Sequence, residues 1–286
     1  MSDVVVIGAA GKTGRAVTRA LVDRGVSVRA AVHLGRRSTV HESDLVRVVP
    51  VDLVSGMGVE AAVAGASAVY HMAPNVDSNE VRMASHIADS AVRQGVSRLV
   101  YHSVLHPEDA SMPHHLRKAK AETTVRTRLE STTILRPSAY LQNLEREARS
   151  GRIEVPYSVD TPFSNVDLDD IAQIAADALL GDEHAGETYD LAGPEELTVR
   201  EMAGIAADVL GHPVDAVRLP LEEWVADEGS HLVGQARADL VAMFRCYDRE
   251  GLVGNPTTLR TLLGREPCTW ADVLYRPTAS PASMDR

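Results

Sequence analysis

Cysteine is almost missing from this chain, and positive charge is in short supply. Cys246 and Cys268 stand alone, without the pairing or spacing of a disulfide framework or a cysteine-based metal site. Lys and Arg number 29 against 40 Asp and Glu, a formal net charge of -11, so no long-range field draws the protein to nucleic acid or to an acidic membrane surface. No run of about 20 apolar residues is available to span a bilayer. Met1, Ser2 and Asp3 pass straight into a strand-like stretch, with no basic leader and no cleavage site. A cytoplasmic protein is expected, as monomer or homodimer, with a small molecule as its partner. Aromatics are sparse at 4%, yet apolar residues reach 44% with both signs of charge interspersed, which excludes global disorder and lets 286 residues bury a sizeable core.

What the chain does contain is a recurring pattern. VVVIG (residues 4 to 8), VSVRAAV (26 to 32), LVRVVPV (45 to 51), SAVYHMA (67 to 73), SRLVYHSV (97 to 104) and STTILRP (131 to 137) each read as a short buried strand, with amphipathic stretches such as 81 to 95 between them. This alternation predicts a doubly wound α/β fold around a parallel sheet, because each crossover must carry the chain back to the same end of the sheet. Past residue 150 the alternation weakens, and helices are expected at 168 to 180, 198 to 210 and 233 to 250. The expected division is a nucleotide-binding domain over 1 to 150, completed by segments from about 163 to 192, then a small, mainly helical lobe over 193 to 276 beside the carboxyl ends of the strands, and a disordered tail at 277 to 286.

GAAGKTG, residues 8 to 14, lies between the first strand and the first helix. A triphosphatase loop needs a glycine five residues before Gly11, and Val6 stands there. What remains is Gly8-x-x-Gly11-x-x-Gly14, a variant of the dinucleotide fingerprint, with Ala10, Lys12 and Thr13 in the same loop. Glycine allows the tight turn, lets a pyrophosphate approach the backbone and lets the helix pack near the strand. The second strand ends VRAAVHLGRR and no carboxylate follows until Glu42. An acidic residue there would favour NAD(H). His33, Arg36 and Arg37 instead offer positive charge to a 2′-phosphate, so NADP(H) is preferred over NAD(H), with solvated loop arginines as the plainer alternative.

Further along stand Asp52-Leu53 after the third strand, Ile134-Leu135-Arg136-Pro137 followed by Tyr140 and Asn143, Phe163-Ser164-Asn165-Val166-Asp167, Asp170-Ile171-Ala172, Tyr189-Asp190-Leu191-Ala192-Gly193-Pro194, and Leu262-Leu263-Gly264-Arg265. With the glycine spacing, these resemble the NmrA-like branch of the atypical short-chain dehydrogenase/reductases over about 3 to 275. The resemblance implies a Rossmann domain that binds NAD(P) and a C-terminal lobe that closes a cleft over the nicotinamide. It places Asp52 and Leu53 near adenine, Met72, Ala73 and Pro74 along the adenosine and ribose, and Ser103 and Val104 beside the nicotinamide ribose. Pro137, Tyr140 and Asn143 join the cofactor set, and Lys118 matches the family lysine. The family includes NAD(P)H-dependent quinone and carbonyl reductases and also regulators that bind the cofactor without turnover.

Many such reductases carry a tyrosine four residues before the lysine. Here the stretch reads PHHLRKAKAE, and His114 takes that place before Lys118. Histidine, with an ordinary pKa near 6.5, is a candidate proton donor, while Lys118 one turn on could reach the nicotinamide ribose. The plainer reading makes His114 a polar residue at a helix start and the tyrosine dispensable, since a hydroquinone anion can collect its proton from water. Ser103, ending the fifth strand, completes the candidate catalytic set. His71, His102, His106, His114 and His115 lack metal-site spacing and are expected to line the cleft mouth, so no metal is expected. Trp224 and Met243 are expected to pack within the lobe. The leading expectation is hydride transfer from NADPH to a small hydrophobic quinone, enone or carbonyl compound; a cofactor-sensing regulator and a non-redox enzyme that retains the cofactor are the alternatives.

Overall fold

Val4, Val5, Val6 and Ile7 have no solvent exposure at all, because the strand they form, β1 (Val4–Ile7), is covered on both faces. The computed structural model describes residues 3–35 and 38–277. Six further strands follow β1 into the main sheet or its flanks: β2 (Val28–His33), β3 (Val46–Val51), β4 (Ala68–His71), β5 (Arg98–His102), β6 (Thr133–Pro137) and β7 (Arg152–Val155). Then come β8 (Pro162–Phe163), β9 (Thr188–Leu191), β10 (Leu197–Thr198) and β11 (Asp215–Arg218). The main sheet has seven strands in the order β3-β2-β1-β4-β5-β6-β9, every neighbouring pair parallel. The six strands expected before residue 140 are all present, with ends displaced by at most two residues.

The helices are α1 (Lys12–Val22), α2 (Val59–Val63), α3 (Glu80–Arg93), α4 (Pro113–Arg128), α5 (Glu145–Arg149) and α6 (Leu168–Leu180). They continue with α7 (Val199–Leu210), α8 (Leu221–Ala226), α9 (Gly234–Glu250), α10 (Thr257–Leu263) and α11 (Trp270–Tyr275). The period of two along a strand sorts the side chains. Val4 and Val6 enter a core shared with Val17 and Leu21 of α1 and Ile171 and Leu179 of α6. Val5 and Ile7 enter the opposite core, with Ile87 of α3 and Val125 of α4. Each such side chain contributes roughly 1.5–3 kcal/mol through burial, so a helix that presents apolar residues at helical spacing is held where it lies.

The lobe interleaves with the sheet domain instead of following it at residue 193. Ile153 of β7 packs with Met202 of α7 and Trp270 of α11, whereas Leu259 and Leu263 of α10 return to the core over α1 and α6. The reason is topological: β7 pairs with β11, and the chain must cross between the two bodies to make that pair. Strand order reverses at β1 and β4, and the crevice outside the carboxyl ends there is where doubly wound sheets bind ligands. Among the described residues no helix is long and apolar enough to cross a membrane. Residues 278–286, most of the expected disordered tail, lie outside the described residues.

Candidate active site

The glycine loop is built by close approach. Gly8 sits at φ +80, in the left-handed region that a side chain disfavours. A Cβ on Gly14 would lie on the Gly8 carbonyl oxygen and 2.7 Å from Ala9 Cα, so only glycine lets α1 press against the turn that precedes it. Helix α1 has Gly11 as its N-cap, with no side-chain cap and no acidic residue in its first turn. Its leading amides and positive dipole end are therefore left for an anion.

Two cavities meet at this point. One, of about 690 Å³, runs between Gly8, Ala10 and Gly11 on one side and His33, Asp52 and Leu53 on the other, and ends at Met72, Ala73 and Pro74. The second, of about 530 Å³, begins at Met72, Ala73 and Asn75 and extends past Thr13, Ser103, Val104, Lys118, Pro137, Tyr140 and Asn143 into the lobe. Together they form one continuous groove that passes the glycine loop, whose close approach a single Cβ would fill. All the residues assigned to the cofactor line one cavity or the other except Gly14, which packs behind the loop, and Arg36 and Arg37, which lie outside the described residues. Lys12 bridges away from the loop: its Nζ donates to Asn143 Oδ1 at 3.0 Å and to the Gln142 carbonyl at 3.2 Å. Asp52 folds back on its own turn, accepting from the Val54 amide at 2.9 Å and the Ser55 hydroxyl at 2.7 Å. Those hydrogen bonds hold its carboxyl below the usual range.

In the second cavity Lys118 Nζ donates to Glu80 Oε1 at 3.0 Å, and the buried Tyr101 hydroxyl donates to the same oxygen at 2.5 Å. Lys118 is thereby fixed at the end of β5, 3.4 Å from the His102 carbonyl. Ser103 donates its hydroxyl to Glu122, which is also gripped by Arg136 at 2.6 Å. That engagement removes the Ser103 proton from the cavity. His114 does line the cavity, one turn before Lys118. Its expected titration near neutral pH is corrected by its surroundings: burial, with His115 and cations adding to it, lowers the ring to about 3. His114 is neutral at pH 7, and among the described residues its buried Nδ1 has no hydrogen-bond partner.

The histidines separate accordingly. His102, His114 and His115 line the cavity. His71 does not: it is fully buried, neither nitrogen has a partner among the described residues, and burial lowers it to about 3. His106 is exposed, its Nε2 held by the Val253 carbonyl at 2.7 Å. Trp224 and Met243, expected to be lobe packing only, are part of the cavity wall. With Tyr157, Phe244 and Tyr247 they make its far side apolar. Tyr157 and Phe244 lie nearly parallel with centroids 6.0 Å apart. Five of the chain's eleven Phe, Trp and Tyr residues, Tyr140, Tyr157, Trp224, Phe244 and Tyr247, are thus gathered around one cavity, an arrangement that composition could not disclose. Asp167, Asp170 and Cys268 also converge, but Arg276 and Arg265 bind the two carboxylates at 2.9 and 2.7 Å.

A family model described as NmrA-like matches residues 1–268. The chain belongs to the NmrA-like family. Among curated relatives, a (4-alkanoyl-5-oxo-2,5-dihydrofuran-3-yl)methyl phosphate reductase of Streptomyces griseus is 31% identical over 76% of this chain and 80% of its own length. An NAD(P)H azoreductase of Xenophilus azovorans is 24% identical over 94% of this chain and 96% of its own. Among solved structures, a quinone oxidoreductase of Escherichia coli in complex with NADPH superposes with a TM-score of 0.79 over 95% of this chain and 98% of its own, at 20% identity. These relatives are named as reductases, and the structural likeness establishes the shared fold.

Proposed function

We propose that this NmrA-like chain is an NADPH-dependent oxidoreductase that reduces a small hydrophobic quinone, enone or carbonyl compound. The observation that carries the reading is the junction of the two cavities at Met72, Ala73 and Asn75, which joins an anion-binding helix start to an aromatic-walled chamber. Bound along that path, reduced nicotinamide supplies a hydride to an acceptor held beside it. In this reading the α1 amides hold the diphosphate, Asp52 and Leu53 flank the adenine, and Lys118, locked by Glu80, holds the nicotinamide ribose. His33, with Arg36 and Arg37, favours the 2′-phosphate, since β2 ends without a carboxylate. Tyr157, Trp224, Phe244 and Tyr247 exclude water and stack on a flat substrate, and such rings contribute about 0.5–1.5 kcal/mol per pair beyond burial.

Calorimetry with NADPH and NADH, followed by loss of NADPH absorbance with a panel of quinones, enones, aldehydes and ketones, tests the reading. NADPH binding tighter than NADH, with turnover of at least one class, is the expected result. Replacing His33 by Asp should narrow the preference by roughly 10-fold. Tight cofactor binding with no turnover across the panel would overturn the reductase reading in favour of a cofactor-sensing protein.

A further inference from the structure

Tyr70, His102 and Tyr140 come from β4, β5 and the turn after β6, yet they form one line on the sheet face covered by α1 and α6. Tyr70 Oη lies 2.7 Å from His102 Nδ1, and Tyr140 Oη lies 2.8 Å from His102 Nε2. Burial lowers His102 to about 3, so the ring is neutral near pH 7. A neutral imidazole has one N–H and one lone pair, so one phenol must donate to it and the other must accept. Tyr70 is fully buried, and among the described residues its hydroxyl meets only His102. If Nδ1 carried the proton, the Tyr70 hydrogen would be stranded in the core. The arrangement without an orphan has Tyr70 donating to Nδ1 and His102 Nε2–H donating to Tyr140 Oη. Thr13 is also hydrogen-bonded to Tyr140, in the sense that favours the phenolate, so it too donates to Oη and the Tyr140 hydrogen is left for the cavity that these residues line.

We propose that Tyr140 donates the proton to the reduced substrate, and that His102 and Tyr70 are positioning residues that aim this proton and hold the phenolate left behind. The proposal deepens the reductase reading and rests on it. In the step, the acceptor carbon gains a hydride, with its electron pair, from the reduced nicotinamide dinucleotide, which leaves oxidised by two electrons. The C=O π pair moves onto oxygen, that oxygen bonds the Tyr140 proton, and the Tyr140 O–H pair stays on the phenolate. His102 Nε2–H stabilises the phenolate until water returns the proton after product departs. Burial pushes the Tyr140 hydroxyl up, with Thr13 opposing, so the proton is in place at every working pH. An alkoxide formed by carbonyl reduction is more basic still and takes it. His114 lacks this support, because among the described residues its buried Nδ1 has no hydrogen-bond partner.

Two measurements on the full chain test the proposal. Long-range proton–nitrogen NMR of protein labelled at histidine, assigned with His102→Gln, should show His102 with a pyrrole-like Nε2 and a pyridine-like Nδ1 from pH 5 to 8. In Tyr70→Phe that preference should be lost. A protonated Nδ1 or a charged ring in the wild type would overturn the arrangement. With NADPH and 4-nitrobenzaldehyde, Tyr140→Phe should lower kcat by about 10²-fold with KM for NADPH little changed, while reduction of phenanthrenequinone should fall by less than about 10-fold. His102→Gln, which keeps an N–H donor, should retain more aldehyde turnover than His102→Leu by roughly 10-fold. Wild-type kcat in Tyr140→Phe, or equal loss in the two His102 variants, would overturn the proposal. If the wild type binds NADPH and reduces neither probe, the reductase reading falls and the proton-donor proposal falls with it; the His102 spectrum then reports only the hydrogen-bond arrangement.

Discussion

Gly14→Ala is the sharpest test of the glycine loop. The new methyl would lie on the Gly8 carbonyl oxygen and 2.7 Å from Ala9 Cα, both backbone atoms with no flexible end to swing aside. Restoring ordinary contact means separating α1 from the preceding turn by several tenths of an ångström at least. Overpacking of this kind costs about 1–3 kcal/mol. The same displacement pulls the first amides of α1 off any bound diphosphate, and each charge-assisted hydrogen bond weakened is worth about 1.5–3 kcal/mol. NADPH affinity should therefore fall by at least about 10-fold, and by 100-fold if two bonds suffer. Two controls bracket the effect. Gly11→Ala meets the Gly8 oxygen at 3.3 Å and should be milder. Gly204→Ala, inside α7 with nothing within 4 Å of the added carbon, should leave binding unchanged and raise stability by about 0.4–1 kcal/mol. Calorimetry of NADPH binding beside thermal unfolding of the three variants checks the set. If Gly14→Ala bound NADPH within about threefold of wild type, the loop would not be the diphosphate cradle.

Glu80→Gln should leave Lys118 and Tyr101 facing a weaker partner in a nearly dry setting, lowering stability by roughly 3 kcal/mol; the double variant with Lys118→Met should regain much of it in urea unfolding. The buried histidines set an acid limit. His71 titrates near 3 in the folded chain and about 6.5 when unfolded, so only the unfolded state takes up its proton between those values. Stability is thus lost as pH falls through that window, by about 1.4 kcal/mol per pH unit for each such ring. His71→Leu should remove one ring's share, about 2 kcal/mol at pH 5, and change little at pH 7.5 apart from packing. Urea midpoints of the two proteins at both pH values check this, and parallel pH dependences would refute it.

Six of the seven strands of the main sheet and the position of the glycine loop were legible in the sequence because their causes are local. Runs such as VVVIG declare a strand buried on both faces, and three glycines at fixed spacing declare a turn that tolerates no Cβ. The state of His114 was not legible, because an ionisation depends on what surrounds the ring, and burial among residues from distant segments removes the charge that an isolated histidine would carry. The dipeptides Tyr70-His71 and Tyr101-His102 look equivalent along the chain. Only the offset register of β4 and β5 puts Tyr70 beside His102 on one face and His71 beside Tyr101 on the other. One histidine thereby gains a phenol at each nitrogen, 32 and 38 residues away, and the other gains none, since strand pairing, and not sequence proximity, decides which side chains share a face.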